Sequence, residues 1–441
     1  MTYTGTRRFT ALVASASVLA LALSACSSSP DKDKETSTGK DGEKNITLTI
    51  ATFNNFGYTD ELLQEYMDAN PGVTVKHNIA AKSDDARLNL TTRLAAGGDG
   101  LADIEGIEID WMPELEIVQD RFLDLESDEV KDRWVGWKEA QGRTTDGTLI
   151  GYGTDIGPEA ICYRSDLFEA AGLPSDRVAV AELLGGENAT WETYFAAGET
   201  FAAKSDSAWF DSAGAIWQGV VGQIAEPFEN AADGTPKDLA ENAEIKAAYE
   251  KVLTASETLS GGFDQWGDDW NAAFQNDGFA TMLCPPWMTG SIESAAGGVD
   301  GWDVADVFPG GGGNWGGSFL TVPATGKNVE EAQKLAEWLT TPEQATKAFE
   351  NAGAFPSQVG AISSDAVKSA TNPFFNDAPV GEIFGSRAIA LDSITLPFKG
   401  ANYFAINATI SNALKRVDVE NTDDAASSWE KAVSEFNDLG L

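Results

Sequence analysis

From Asn45 to Asn55 the chain reads NITLTIATFNN, with Ile46, Leu48 and Ile50 alternating against Thr47, Thr49 and Ala51. Strict alternation predicts a strand, and the polar Asn-Asn pair ends it. The next stretch, TDELLQEYMDANPG, spaces Leu62, Leu63, Tyr66 and Met67 as a helical stripe that Asn70-Pro71-Gly72 stops. GVTVKHNI reads as a second strand, DARLNLTTRLAAGG as a glycine-stopped helix, and ADIEGIEIDW as a third strand. Strands alternating with helices through short connections predict a parallel α/β sheet, which binds ligands beyond the carboxyl ends of its strands. Those ends carry Asn54-Asn55 and Asp110-Trp111.

The periodicity then breaks and restarts. GTLIGYGTDIGP, residues 147–158, is extended and punctuated by glycine, and EAICYRSDLFEAAGLP resumes with strand then helix, Ser165 as N-cap and Gly172 as C-cap. Residues 159–315 read as mostly helical and rich in Trp, with DGFATMLCPPWMTG as a strand that runs into a Pro-Pro-Trp loop. Ala332, Leu335, Ala336 and Leu339 then mark one helix face. Thr341, Pro342 and Gln344 form a capping box for the following helix, which Gly353 stops. At the C-terminus Trp429, Val433 and Phe436 share a face.

The first 45 residues follow no such pattern. Arg7 and Arg8 precede an apolar run, Phe9 to Leu23, too short to span a membrane stably, which predicts a secretory signal in residues 1–25. Leu23-Ser24-Ala25-Cys26 resembles a bacterial lipobox in which Cys26 is lipidated, the alternative being an ordinary signal with an incidental cysteine. Residues 26–45 read as a flexible polar tether.

Composition narrows the class. At 441 residues two lobes are expected, and 42% hydrophobic content supports packed cores. The balance of 30 Lys+Arg against 69 Asp+Glu gives a net charge of -39, which disfavours nucleic acid and anionic lipid headgroups as ligands. Thirteen Trp exceed what packing usually needs, and Trp offers a flat apolar face with a polar edge. Cys162 and Cys284 remain after lipidation; in an oxidising compartment they are either a disulfide or two separate core thiols.

The segment PGGGGNWGGSFLTVP contains G-x-G-x-x-G at Gly311, Gly313 and Gly316, but a strand follows where a dinucleotide site needs a helix. No Gly-Lys-Ser/Thr is present for a P-loop, so no cofactor is expected. His77 is the sole histidine, which disfavours a zinc site and leaves nucleophilic triads without a plausible base. Glycoside hydrolysis needs paired carboxylates, which 69 Asp+Glu amply supply, so an exported glycoside hydrolase is the alternative to a binding protein, with an adhesion or sensor role third. Flat aromatic faces with Asx acceptors at strand ends suit a neutral, hydroxyl-rich ligand, that is, a sugar.

The lipobox, LTIATFNNFG, LADIEGIEIDW, GYGTDIGPEAICYRSDLFEAAGLP, GFATMLCPPWMTGS and GGSFLTVPATGKNVEEAQKLAEWLTTPEQ together resemble, in this order, the extracellular solute-binding proteins of ATP-driven carbohydrate importers. The likeness spans residues 46–441 and is nearest to actinobacterial lipoproteins that bind cellobiose and cello-oligosaccharides. It implies a type II periplasmic-binding-protein-like α/β fold, two lobes joined by crossing strands around a ligand cleft. Lobe one would hold residues 46–154 plus 320–355, and lobe two 155–319 plus 356–441. The resemblance also sets the strands of Cys162 and Cys284 side by side, favouring the disulfide. It implies a monomer without catalytic residues, cofactor or metal, tethered through lipid outside the cell membrane, with an ABC permease and its cytoplasmic ATPase as partners. The expected ligand contacts are Asn54, Asn55, Asp110, Trp111, Asp155, Trp217, Trp287, Trp315 and Tyr403. Trp287 and Trp315 are the expected stacking platforms, because proline and glycine neighbours put them on loops. Core packing is the competing explanation for Trp111, Trp217 and Tyr403, and a turn for Asn55.

Overall fold

The structure is a computed structural model and describes residues 45–394 and 396–441, with Asp392 described for its backbone only. The signal segment, Cys26 and the tether lie outside the described residues. Among these residues two sheets form. The first has the order β2-β1-β3-β9-β4, from β1 (Ile46–Phe53), β2 (Val73–Ala80), β3 (Ile104–Glu108), β4 (Tyr152–Gly153) and β9 (Ser318–Thr321). The second has the order β6-β7-β5-β8, from β5 (Ala160–Arg164), β6 (Ala208–Phe210), β7 (Phe279–Cys284) and β8 (Trp302–Ala305).

The alternating apolar positions of β1 do what the pattern demands: Leu48 and Ile50 are fully buried, and β1 pairs in parallel with β2 and with β3. Helix Asp60–Ala69 starts under Thr59, whose hydroxyl accepts the Leu62 N–H, and buries Leu62, Leu63 and Tyr66. Helix Val329–Leu339 buries Ala332, Leu335, Ala336 and Leu339 against the same sheet, and Ala425–Asp438 buries Trp429 and Phe436 in the other lobe.

Three readings of the pattern are corrected. The sheets are mixed, not parallel: β9 is antiparallel to β3 and β4, and β5 is antiparallel to β7 and β8. The cause is connectivity, since β9 enters the first sheet from the other lobe while β3 and β4 run toward it. The cap of helix Ser165–Ala170 is Arg164; the Ser165 hydroxyl instead donates to Gly301 O at 2.9 Å. Only half of the Thr341 capping box forms, because the Gln344 side chain is buried with its Oε1 unpartnered while its N–H donates to Thr341.

Between the sheets three passes of the chain run side by side. Thr154 N donates to Ser318 O at 2.9 Å and Ser357 N to Thr154 O at 3.2 Å. Ile156 N donates to Phe355 O, and Trp315 N to Gly157 O, both at 2.9 Å. The middle pass therefore takes the same role as a central strand, flanked by the other two. Gly157 is required there: a Cβ on it would lie 1.8 Å from the Trp315 carbonyl oxygen. In the second lobe Cys162 and Cys284, both fully buried on adjacent strands with Cα atoms 5.4 Å apart, are joined as a disulfide.

Candidate functional site

The carboxyl ends of β3 and β7, the start of β5 and the glycine loop after β8 all meet at the crossing segments. At the end of β3 the chain tightens into a 3-10 turn, Ile109–Trp111, because the Glu108 carboxylate accepts the Asp110 N–H at 2.8 Å. That turn projects Asp110 outward, where it pairs with the ammonium of Lys399 from the second lobe. It also turns Trp111 inward: the indole is 2% exposed and packs on Phe53 with ring centroids 5.2 Å apart.

The two aromatic platforms do come together. Trp287 is not on a loop but in the first turn of helix Pro286–Ala296, since Pro286 with its fixed φ starts a helix well at its first position. Its indole Nε1 donates to the Trp315 carbonyl at 2.9 Å, and the two rings stand edge to face at 5.3 Å. Trp266, 43% exposed, stacks on Trp287 at 6.1 Å and 28°. This third ring was missed by the sequence reading, although Gly267 directly after it marks a break in regular structure before helix Asp268–Ala273. The glycines around Trp315 let the backbone pass close by: Gly316 adopts φ +73°, and a Cβ there would lie 3.3 Å from the Trp287 Nε1.

Asp155 lies on the middle pass, half-buried, and its Oδ1 accepts from Ser318 N at 2.9 Å and from the Thr154 hydroxyl at 2.8 Å. Asn54 and Asn55 are exposed, and each spends its side-chain oxygen on the turn after β1, accepting Phe56 N and Gly57 N at 2.9 Å. Two more of the expected positions, like Trp111, lie in the core. Trp217 is fully buried in helix Ala213–Val221, its Nε1 donating to Asn407 Oδ1 at 2.8 Å. Tyr403 is 2% exposed and packs on Phe228, ring centroids 5.3 Å apart. Together with Trp111 these side chains shape the walls from behind, because large aromatics on regular elements are drawn into the core.

The sequence reading missed the buried ionisable groups that surround these residues. Burial pushes the Glu159 carboxyl up to about 8 against the opposing charge of Lys399, and its Oε1 has no hydrogen-bond partner. Glu108 is pushed well above the usual range, first by desolvation and then by the Asp110 charge. Lys138 is fully buried with Nζ 3.8 Å from the Phe319 ring centroid and unpartnered. Burial draws it down to about 7, against the pull of Asp155 and Glu108 and with Lys399 adding to the fall. For Lys399 itself burial lowers the value most, but the charge and hydrogen bond of Asp110 together with Tyr403 and Glu108 outweigh it and hold the ammonium above its ordinary range. Such groups sit far apart in sequence, so no local spacing marks them. The arrangement offers flat faces, acceptors and two cations, a set suited to polar, uncharged ligands. Among the described residues no cluster of three or more His, Cys, Asp or Glu could hold a metal.

A two-lobed α/β clamp with polar and aromatic groups gathered at its crossing strands defines a solute-binding protein. The chain belongs to the bacterial extracellular solute-binding protein family, whose sequence model matches residues 61–376. It is similar to a crystal structure of an extracellular solute-binding protein of family 1, with 46% identity, a TM-score of 0.78, and coverage of 89% of this chain and 99% of that one. Two more distant structures share the fold. One is the transporter-associated binding protein of B. animalis subsp. lactis Bl-04 in complex with β-1,6-galactobiose, at 18% identity, TM-score 0.72 and coverage of 89% and 96%. The other is the GacH receptor of Streptomyces glaucescens GLA.O, with structures unliganded and in complex with acarbose, at 16% identity, TM-score 0.68 and coverage of 89% and 98%. No curated protein sequence matches the chain. The family places the protein outside the cytoplasm, and no helix among the described residues is long and apolar enough to cross a membrane.

Proposed function

We propose that the protein captures a neutral β-linked oligosaccharide, cellobiose or a short cello-oligosaccharide, and delivers it unchanged to an ATP-driven permease. The observation that carries this reading is the aromatic wall of Trp266, Trp287 and Trp315 beside the crossing strand that bears Asp155. Pyranose C–H faces stack on such rings, while hydroxyls seek acceptors such as Asp110 and Asp155. The distant relatives that share the fold, with β-1,6-galactobiose or acarbose bound, support a sugar; the choice of a β-glucoside rests on sequence likeness. The proposed lobes are residues 46–154 plus 320–355 and residues 155–319 plus 356–441. The proposed anchor is a lipid on Cys26, on the outer face of a Gram-positive membrane, with the protein acting as a monomer.

Isothermal titration of the purified protein with cellobiose, xylobiose, maltose and mannobiose tests this. Heat with cellobiose in preference to maltose is expected; silence with all four would remove the carbohydrate reading. Chromatography of the same mixtures after overnight incubation should return the sugars intact, and product release would favour a glycoside hydrolase.

A further inference from the structure

Lys399 connects the two lobes at a point that the chain itself does not cross. Its backbone belongs to the second lobe, because Phe398 N donates to Ala225 O at 2.7 Å and Asn402 N to Glu229 Oε1 at 3.0 Å. The next aromatic along the chain, Tyr403, is part of that lobe's core, and its ring centroid lies 5.1 Å from the Lys399 ammonium. The partner carboxylate, Asp110, stands on the 3-10 turn of the first lobe, fixed on one side by the Glu108 carboxylate and on the other by buried Trp111. The charged groups around Lys399 are Asp110, Glu108, Glu159 and Lys138, so it meets three carboxyls and one other cation.

A second contact of the same kind lies nearby. Arg87 is gripped by both oxygens of Glu114, at 2.6 and 2.8 Å, and its guanidinium sits 4.2 Å from the ring centroid of Phe404 in helix Tyr403–Asp418. Phe404 leans on the apolar cluster of the first lobe although its helix belongs to the second. Neither contact involves the crossing strands, so chain connectivity does not impose them. Both exist only while the lobes are close together. The Lys399 and Asp110 side chains are 16% and 22% exposed, a partly desolvated pair in which the attraction is stronger than on an open surface.

We propose that Lys399 and Asp110 form an inter-lobe latch, with Arg87 on Phe404 as its second point, which stabilises the closed clamp independently of the sugar. The proposal rests on reading the two lobes as a clamp, not on the identity of the ligand. A contact made in the closed form alone shifts the open-closed equilibrium by its whole net free energy, so a ligand then has less closure to drive.

Small-angle scattering of the purified protein without added sugar reads the latch directly. Lys399→Gln and Asp110→Asn are each expected to raise the radius of gyration, and the double variant should exceed neither single one, since both remove one interaction. Lys399→Arg, which keeps the charge, should stay with the unsubstituted protein. An unchanged radius for Lys399→Gln, or additive increases in the double variant, would overturn the proposal. If Lys399→Gln loses its cooperative thermal transition, Asp110→Asn, nearly isosteric and placed in the other lobe, decides the question alone. Because no sugar is present, a failure to bind any disaccharide leaves this readout untouched, and the two readings fail separately.

Discussion

Glu159 immediately precedes strand β5 with its carboxyl enclosed beneath Gly313, and that enclosure gives stability a direction with pH. Burial moves the carboxyl from its ordinary 4.5 up to about 8, so between those values the folded protein keeps a proton that the unfolded chain has released. The folded state then binds more protons than the unfolded one, and stability falls as pH rises through this window. Glu159→Gln, a neutral replacement of similar shape, should flatten that fall and raise the melting temperature at the upper end of the window relative to the unsubstituted protein. Equal slopes for the two proteins would show that Glu159 is ionised in the fold. A second pair of residues separates wall from core. Trp315→Ala should weaken sugar binding by roughly 1 to 3 kcal/mol, the scale of losing one stacked aromatic face. The Trp287 indole keeps its acceptor in that variant, because it donates to the Trp315 backbone carbonyl. Trp217→Ala should instead cost about 3 to 5 kcal/mol of stability through the cavity it leaves. Titration calorimetry and thermal unfolding of both variants check the split.

At the scale of elements, the helices with one apolar face were legible in the chain because a 3.6-residue period needs no partner to be seen. Helix Val329–Leu339 buries all four positions that its period marks. Strand direction was not legible: β9 carries an apolar run that fits either orientation, and its antiparallel place between β3 and β4 follows from the lobe it arrives from. The pairing of Cys162 with Cys284 was similarly open until β5 and β7 were seen to be neighbours. This bond closes a loop across a sequence separation of 122 residues, and its removal should cost about 2 to 4 kcal/mol by freeing the unfolded chain. Thermal unfolding of Cys162→Ala/Cys284→Ala, beside the native protein under reducing conditions, should show the same loss in both. No loss in either would mean that the sheet alone fixes the second lobe.

For the whole molecule, binding and folding are linked because only the folded clamp brings the two sets of groups together. A sugar at about a hundredfold excess over its dissociation constant should stabilise the protein by about 2.7 kcal/mol, visible as a rise in melting temperature. The disaccharide that gives the largest rise should also be the one that gives heat in calorimetry; a mismatch would point to binding outside the cleft.

The chain by itself determined the α/β class, the strongly acidic surface, the succession of strand and helix in the first lobe, and two aromatic positions, Trp287 and Trp315, that do meet. Each of these is set by local periodicity, by net charge or by proline and glycine chemistry, which act over a few residues. Tertiary structure alone decided that Trp111, Trp217 and Tyr403 face inward, that Trp266 joins the aromatic wall, and that Lys399 reaches Asp110 across 289 positions of sequence. Burial and charge pairing depend on which distant segments pack together, and no short window of sequence carries that information.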